Sequence, residues 1–481
     1  MESQKPSGFS GGIFSGLHTP VRFSPSVFGA FLLLALAVNY PGRLNPDSFK
    51  QLLESLGFRP LDDWHGPVVT WLWSLPGPLL GQPTGALLIQ CVCFAFFAAV
   101  LPLPRERGFK SSAMLTAEVL FRLALVAIAG IVIKDALLAG MLLALIATVQ
   151  LARSSAMTTT WRTVSIGLFI LCLLVRPTNF LMFLMAFALI GMFLFRTVRG
   201  YVLAMGVAAI LLVSMVPITA VINRDLLNAR NSRAEKQLIV FDIAGISHGT
   251  RENKFLTLEE WPSGLPDPIG CYNPKLWDPF FSKNHPIWSK SPCNGYADIF
   301  NGVSDRTGGL TGWWVGQILS NPFAYARHRV AYSRKLMGTH QHIIVHEPPY
   351  SDTMNRNDDP RFYTKRYGRD TVPGDFDQLA TWNNDLGLKP FAKLSSLLFA
   401  QKYGYKIALV VCLILFGWNL RKHFKRREVN LMVPLVAAVG IGNVGMLVFF
   451  GVASEGRYLV PTICCACVAA LLALRPVAST K

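Results

Sequence analysis

Charged residues are scarce in this sequence. They make up 15% of its 481 residues, whereas soluble globular domains contain about 25%. Hydrophobic residues make up 52%, and the mean hydropathy is +0.37. Several apolar runs reach the roughly 20 residues that cross a bilayer. The composition therefore argues against a soluble domain and predicts an α-helical polytopic membrane protein.

Acidic residues are the scarcer of the two charge classes, at 28 against 46 basic residues, so the formal net charge is +18. A nucleic-acid partner could explain that excess, but its distribution argues otherwise. Residues 223–404, here called the polar segment, contain 22 basic and 18 acidic residues, a balance of +4. The remaining +14 (18 − 4) lies largely in short links between apolar runs, as the positive-inside rule expects. We therefore expect a lipid bilayer and no nucleic acid as partner.

Several familiar site patterns are also missing. No P-loop, GxGxxG or Ser-His-Asp order stands out, and none of the nine cysteines has zinc-site spacing. We therefore expect no cofactor and no metal, although acidic residues near His65 leave a divalent cation open. Seven cysteines fall in or beside apolar runs. Cys271 and Cys293 lie in the polar segment, and we expect them to form a disulfide if it faces an oxidising compartment.

The apolar runs predict about ten spans. The first run lacks a small-residue cleavage site, so we interpret it as a retained span. Val68 to Leu80 is apolar but interrupted by prolines, which favours a short interfacial helix. The expected spans are about 25–40, 84–103, 115–133, 136–152, 163–175, 180–195, 201–222, 405–420, 431–452 and 459–474.

This span order predicts three regions and places both termini in the cytoplasm. Residues 1–222 form an N-terminal membrane domain with a first exterior loop at 41–67. The polar segment forms a large exterior domain, which we expect to fold as a mixed domain because it is rich in Trp, Tyr, Pro and Gly. Residues 405–481 form the C-terminal membrane spans.

Span ends that carry mixed charges all fall on the same, outer face in this topology. Ionisable groups beside a bilayer are costly unless they are solvated or paired, so they often mark functional sites. The residues concerned are Asp47, Asp62, Asp63, His65, Lys134, Asp135, Arg176, Glu455 and Arg457.

The acidic residues of the first loop have two readings each. Asp47 can be a general base with a raised pKa beside apolar surface, or the cap of a helix over Ser48–Leu56. Asp62, Asp63 and His65 can orient a substrate hydroxyl or bind a divalent cation, or can simply form the loop before Pro67. Asp63 competes with Asp47 as the catalytic acid, and the sequence leaves both open.

The basic residues on the same face suit a lipid phosphate, which arginine binds bidentately. The alternative is a set of internal salt bridges, Lys134 with Asp135 and Arg457 with Glu455. In the polar segment, 321–335 reads as an amphipathic helix with a basic face that includes His328 and Arg329. It could lie on the membrane, or it could be a solvated surface.

Together these features resemble the GT-C-fold glycosyltransferases, in particular the bacterial, family-39-like enzymes that use polyprenyl-phosphate sugars. That class has an acidic residue shortly after its first span, where Asp47 stands. The resemblance covers about 1–222 and 405–474 and does not extend to the polar segment. Its other elements are Trp64-His65-Gly66-Pro67, similar to a His-Pro-Pro element with Gly66 in place of the first proline, then Lys134-Asp135, and Glu455-Gly456-Arg457-Tyr458-Leu459.

The resemblance implies an inverting transfer of a hexosyl or pentosyl group to an acceptor hydroxyl at the outer face of a bacterial inner membrane. The acceptor would be a cell-envelope glycan, a lipid or a protein. Asp47 would deprotonate it, and Arg457, Arg176 or Lys134 would stabilise the departing phosphate. A groove lined by the spans would hold the isoprenoid tail.

Three alternatives remain open. A lipid-linked glycan transporter or flippase should carry charges inside its spans, and Arg122 is the clearest such charge here. A polysaccharide polymerase or ligase would share the substrates and the large exterior loop. A non-catalytic envelope scaffold would need none of the site residues.

Overall fold

The computed structural model shows a bundle of apolar helices with a smaller helical layer formed by the polar segment. The structure describes residues 21–474 with the following gaps: 41, 43–45, 82, 102–108, 155–156, 177, 195–196, 234, 259–260, 263–265, 276, 281–290, 305–308, 339–403, 426–428 and 453–455.

Ten α-helices precede the polar segment in the described part of the chain. Local signals set several of their ends. The Ser24 hydroxyl accepts a hydrogen bond from the Val27 amide at the start of α1, where Pro25 occupies the first turn. Pro76 separates α3 from α4, since proline lacks the amide that a continuous helix needs. The bounds are α1 Pro25–Asn39, α2 Pro46–Ser55, α3 Pro67–Ser74, α4 Gly77–Leu80, α5 Thr84–Val100, α6 Phe109–Ala129, α7 Lys134–Ser154, α8 Thr158–Val175, α9 Asn179–Leu194 and α10 Val198–Val221.

A π-helical turn, Ile222–Leu226, follows α10, and the remaining helices come after it. The later bounds are α11 Glu235–Thr250, α12 Tyr296–Ser304, α13 Leu310–Ser320, α14 Pro322–Gly338, α15 Gly404–Phe424, α16 Met432–Phe450 and α17 Val460–Ala473, with 3-10 turns at Lys254–Thr257, Pro268–Cys271, Asp278–Phe280 and Gly456–Leu459.

Six of these helices are long and apolar enough to cross a membrane, so the chain is an α-helical membrane protein. They are found in α6, α7, α8, α10 with its π turn, α15 and α16. Four shorter apolar helices, α1, α5, α9 and α17, stand at the other expected span positions.

The most enclosed of the six is α7, which packs against α5, α8 and α17. In its span, 89% of the residues are buried. In contrast, α10 is only 12% buried over its span. This low burial places α10 at the edge of the bundle. Because its outward side chains are apolar, most of its surface is available to lipid.

The described residues of the polar segment form helices and turns and no strand, so the mixed composition expected for it is not seen in that part. An isolated bridge between Asp62 and Arg230 joins the segment to the first loop. A small aromatic core contains Phe255, Tyr296 and Phe300. The predicted disulfide between Cys271 and Cys293 is confirmed.

The prediction of an amphipathic helix with a basic face over 321–335 is wrong in part. The helix is present as α14, but His328 and Arg329 are buried. Both pair with the buried carboxylate of Asp242, which accepts from His328 Nε2 at 3.1 Å and also from Arg329. Arg329 also donates to the Gly451 carbonyl at 2.8 Å. Arg329 therefore fastens the polar segment to the residue after α16, and neither of these two basic side chains faces a membrane surface.

Candidate active site

Asp47 lies in the first turn of α2, and its main partner is distant in sequence. Its carboxylate accepts a hydrogen bond from Arg457 at 2.6 Å, and its side chain is 33% exposed. Burial opposes ionisation of this carboxyl, but the charges of Arg457 and Lys134 and the hydrogen bond from Arg457 act together against it and hold the pKa of Asp47 well below its usual range. The expectation of a raised pKa is therefore wrong in direction, because the apolar surroundings contain a buried cation. Asp47 stays ionised throughout the neutral range.

His65 links Asp47 to Lys134. It is 4% exposed, with Nδ1 3.1 Å from the Lys134 ammonium and Nε2 4.0 Å from the Asp47 carboxylate. Burial and then the charge of Lys134 lower the pKa of His65 well below its usual value, so the ring is neutral at pH 7. Because an ammonium can only donate, Nδ1 accepts and Nε2 carries the hydrogen, directed towards Asp47.

The turn after His65 passes very close to the end of α8. Gly66 has a φ of +77°, and a Cβ at this position would lie 2.6 Å from the Val175 carbonyl oxygen. Glycine is the residue that tolerates both the left-handed backbone and this close approach. The contact fixes His65 beside the residues that follow α8.

Asp135 is 1% exposed and lies between two guanidinium groups. Arg176 donates to it at 3.2 Å, and Arg457 Nε is 3.9 Å away. Both guanidinium groups also stack on the Tyr458 ring, at 4.7 and 5.2 Å from its centre. The first turn of α7, the C-cap residue of α8 and the 3-10 turn after α16 therefore meet at Asp135.

These contacts test the proposed salt bridge between Lys134 and Asp135. Asp135 pairs with Arg176, and within the described residues the Lys134 ammonium has no carboxylate oxygen within 4 Å. The proposed bridge between Lys134 and Asp135 is therefore not formed. Glu455, the other proposed partner of Arg457, lies outside the described residues.

The two adjacent acids of the first loop have different partners. Asp62 pairs with Lys50 and accepts from the Trp64 amide at 3.1 Å. Asp63 accepts from the Ser232 amide at 2.6 Å and from its hydroxyl at 2.5 Å, both through Oδ1. Both acids thus hold the loop in place, and Asp63 ties it to the beginning of the polar segment.

A cavity of about 560 Å³ opens beside this cluster. Its polar end is lined by Asp63, His65, Lys134, Arg176 and Asn223, whereas much of the rest is apolar. The apolar wall comes largely from α8, α9, α10 and the end of α16, through residues such as Val175, Phe180, Leu212, Met215 and Phe450. The cavity is therefore amphiphilic, and its lining includes three cationic side chains, those of Lys134, Arg176 and Arg224.

The predicted residues divide into two groups around this cavity. Asp63, His65, Lys134 and Arg176 line it. Asp47, Asp62, Asp135 and Arg457 are not among its lining residues and instead hold the lining residues in place.

Other lining residues were missed by the sequence reasoning. Asn223 is 5% exposed, and its Oδ1 has no hydrogen-bond partner in the described structure. It sits in the π-helical turn, a feature often found at functional sites. Gln237 lines the cavity from α11. No sequence motif singles out either residue, whereas Tyr458 stands within the run around Arg457 and could have been found there.

The described residues contain no group of three His, Cys, Asp or Glu side chains that could hold a metal ion. Comparisons with protein-family models, with curated proteins and with solved structures find no match to this chain.

Proposed function

We propose that this chain is a membrane glycosyltransferase that moves a sugar from a polyprenyl-phosphate donor to an acceptor hydroxyl. The observation that supports this most directly is the amphiphilic cavity with Lys134 and Arg176 at its polar end. A donor of this class has an anionic phosphate between a polar sugar and a long apolar tail. The cavity offers a complementary surface to each of the three parts.

The charge around the cluster favours an anion. Four positive charges lie at or beside the cavity, on Lys134, Arg176, Arg224 and Arg457. Asp47, Asp63 and Asp135 contribute three negative charges, and His65 is neutral. One positive charge remains, and Lys134 carries it, because its hydrogen-bond partner is the neutral His65 ring. A phosphate at Lys134 would pair with that charge and with the edge of Arg176.

The apolar wall suits the donor tail. The helix α10 contributes Leu212 and Met215 to the cavity, while most of its own surface faces away from the protein. A lipid tail can therefore lie along α10 with one side against the cavity and the other against the bilayer. This arrangement lets a lipid-linked donor reach the site without leaving the membrane.

The reaction we propose is a single displacement. The acceptor oxygen attacks the anomeric carbon and gives up its proton to a carboxylate. The bond from that carbon to the phosphate oxygen breaks, and its electron pair leaves with the phosphate. Lys134 and Arg176 stabilise the charge that grows there. The configuration at the anomeric carbon inverts.

Two carboxylates compete for the role of base. Asp47 was the first expectation, but its carboxylate is paired with Arg457, and Asp47 does not line the cavity. Asp63 lines the cavity, and both of its hydrogen bonds from Ser232 go to Oδ1, which leaves Oδ2 without a partner in the described structure. We therefore assign the base to Asp63. Asp47 orients His65 and Arg457.

The proposal places the site at the outer face of a bacterial inner membrane, as the charge pattern of the links suggests. The main rival is a flippase for a lipid-linked glycan. Its signature would be charged residues inside spans. The clearest charge inside a span, Arg122, pairs with Glu118 and donates to the Leu101 carbonyl at 2.6 Å. That hydrogen bond satisfies the carbonyl group at the C-terminal end of α5. It therefore favours a structural role for Arg122 over a role in a transport pathway. A polymerase or ligase would use the same cavity with a larger donor.

The test is a turnover assay on purified full-length protein with a radiolabelled polyprenyl-phosphate hexose and cell-envelope glycan acceptors. Lys134→Gln keeps a hydrogen-bond donor for His65 but removes the charge. Since a hydrogen bond to a charged group contributes about 1.5–3 kcal/mol, donor KM should rise by about 10- to 150-fold. Lys134→Arg should fall between this variant and wild type.

The matched control is Lys254→Gln, which removes a cation that pairs with Glu252 away from the cavity. It should leave donor kinetics unchanged. Movement of intact donor across proteoliposomes without release of the sugar would instead show a flippase, and the glycosyltransferase proposal would then be wrong.

A further inference from the structure

A second, smaller cavity adjoins the first. It has a volume of about 140 Å³, roughly a quarter of the first. Trp64 and Gln237 line both cavities, so they form a common wall. The rest of its lining comes from the polar segment, mainly from the residues just before α11, from α11 itself and from α12.

The lining of the second cavity differs in chemistry from that of the first. Trp64 and Trp277 place their rings 6.0 Å apart on one side. Lys236, Asp298 and Asn301 contribute a cation, a carboxylate and an amide. Aromatic rings provide rigid apolar contact area, and a few polar groups fix orientation. This combination fits a sugar, which has apolar C–H faces and a rim of hydroxyl groups.

We propose that the second cavity binds the acceptor, and that the acceptor is a carbohydrate. This inference rests on the proposed function for the transfer itself, but the sugar site follows from the lining alone. The acceptor would enter beside the polar segment, and the lipid-linked donor would enter beside α10. The two substrates would meet at the common wall.

The base we assigned stands at this wall. Asp63 lines the first cavity, and its partner Ser232 lines the second. An acceptor hydroxyl that passes the wall would reach the carboxylate of Asp63 and the anomeric carbon of the donor together. Its proton moves to Asp63, its oxygen forms the new glycosidic bond, and the phosphate leaves with the electron pair of the broken bond.

The backbone beside Ser232 supports a functional role for this wall. Arg233, which lines the second cavity, has a φ of +54°. The left-handed region is unfavourable for a residue with a side chain, and such strain is found preferentially at functional sites.

The first arm of the test measures binding without turnover. Full-length protein in a sugar-free detergent is mixed with methyl glucoside, methyl galactoside and methyl mannoside, and saturation-transfer NMR detects which sugar contacts the protein. Ala297 lines the second cavity, so Ala297→Phe should fill it and remove the signal. Ala326→Phe makes the same change on an exposed part of α14 and should keep the signal.

A second variant with a smaller change keeps the test valid if Ala297→Phe misfolds, which a thermal melt would reveal. Asn301→Ala should weaken sugar affinity by about 2- to 12-fold, the effect of about 0.5–1.5 kcal/mol for a lost neutral hydrogen bond. If wild-type protein binds none of the three sugars, or if folded Ala297→Phe binds as wild type does, the inference is wrong. Signal from a serine-rich peptide in place of the sugars would equally overturn it.

The second arm separates this inference from the proposed function. In the turnover assay, Asn301→Ala should raise acceptor KM by the same 2- to 12-fold and leave donor KM unchanged. Sugar binding without any turnover would reject the glycosyltransferase and retain the sugar site. Turnover with unchanged acceptor KM in both variants would retain the enzyme and reject this cavity as the acceptor site.

Discussion

Replacing Asp63 by asparagine tests the assignment of the base. The change keeps Oδ1, so both hydrogen bonds from Ser232 can remain and the loop should keep its position. It removes the basicity of the second oxygen. General-base catalysis typically contributes about 100- to 10,000-fold, which is about 2.7–5.5 kcal/mol of barrier. Turnover should fall by that factor.

Asp47→Asn is the matched comparison, because it makes the same chemical change in a carboxylate outside the cavity. The amide oxygen can still accept from Arg457, and Asp135 lies 3.9 Å from Arg457 to offset its charge. The hydrogen bond from Arg457 is therefore kept and only the charge of Asp47 is lost, which should cost about 1 kcal/mol. Turnover should therefore fall by no more than about fivefold.

The assay is the initial rate of label transfer at saturating donor and acceptor, with a thermal melt of each variant to show that it is folded. Asp47 is ionised throughout the neutral range, so its loss should not change the pH dependence of the rate between pH 6 and 8. Near-normal turnover in Asp63→Asn together with a dead but folded Asp47→Asn would refute this reasoning and return the base to Asp47.

Three further predictions concern stability. Gly66→Ala should lower the melting temperature more than Gly57→Ala does, because both have φ near +78° but only Gly66 would place a Cβ against backbone; equal losses would contradict this. Burial raises the pKa of Glu54 to about 8, so folded protein keeps a proton that unfolded protein loses above pH 4.5, and stability falls as pH rises from 4.5 to 8. Glu54→Gln should flatten that fall in pH-dependent melts, and an unchanged slope would count against it. Replacing Cys271 and Cys293 by serine should destabilise the polar segment by about 3 kcal/mol, measured as faster limited proteolysis, and unaltered proteolysis would show that packing alone suffices.

Hydrophobicity alone was enough to locate the apolar helices. Each of the ten expected spans coincides with an apolar helix, because the length and polarity of a run are local properties of the sequence. The ends were less accurate. Lys134 begins α7, whereas the expected span began two residues later, at 136, because a charged residue can open a helix without being apolar.

The partners of charged residues could not be read in the same way. Lys134 and Asp135 are adjacent, which suggested a salt bridge, but consecutive residues of a helix point in different directions. Asp135 instead meets Arg176, which is 41 residues away. The burial of His328 could not be predicted for the same reason, because its partner Asp242 lies on another helix. A linear pattern cannot show such meetings.

The ion pair between Asp47 and Arg457 also orders events during synthesis. The two residues are 410 positions apart, and a ribosome adds about 5–20 residues per second. Asp47 is therefore made roughly 20–80 seconds before its partner exists. Until then, the carboxylate that anchors this end of the first loop has no guanidinium to bind, and Asp135 has only one of its two arginines. A chain released before Arg457 contains nearly all of the helices but lacks the arginine that pairs with Asp47 and lies beside Asp135, so its cluster of charged residues is incomplete.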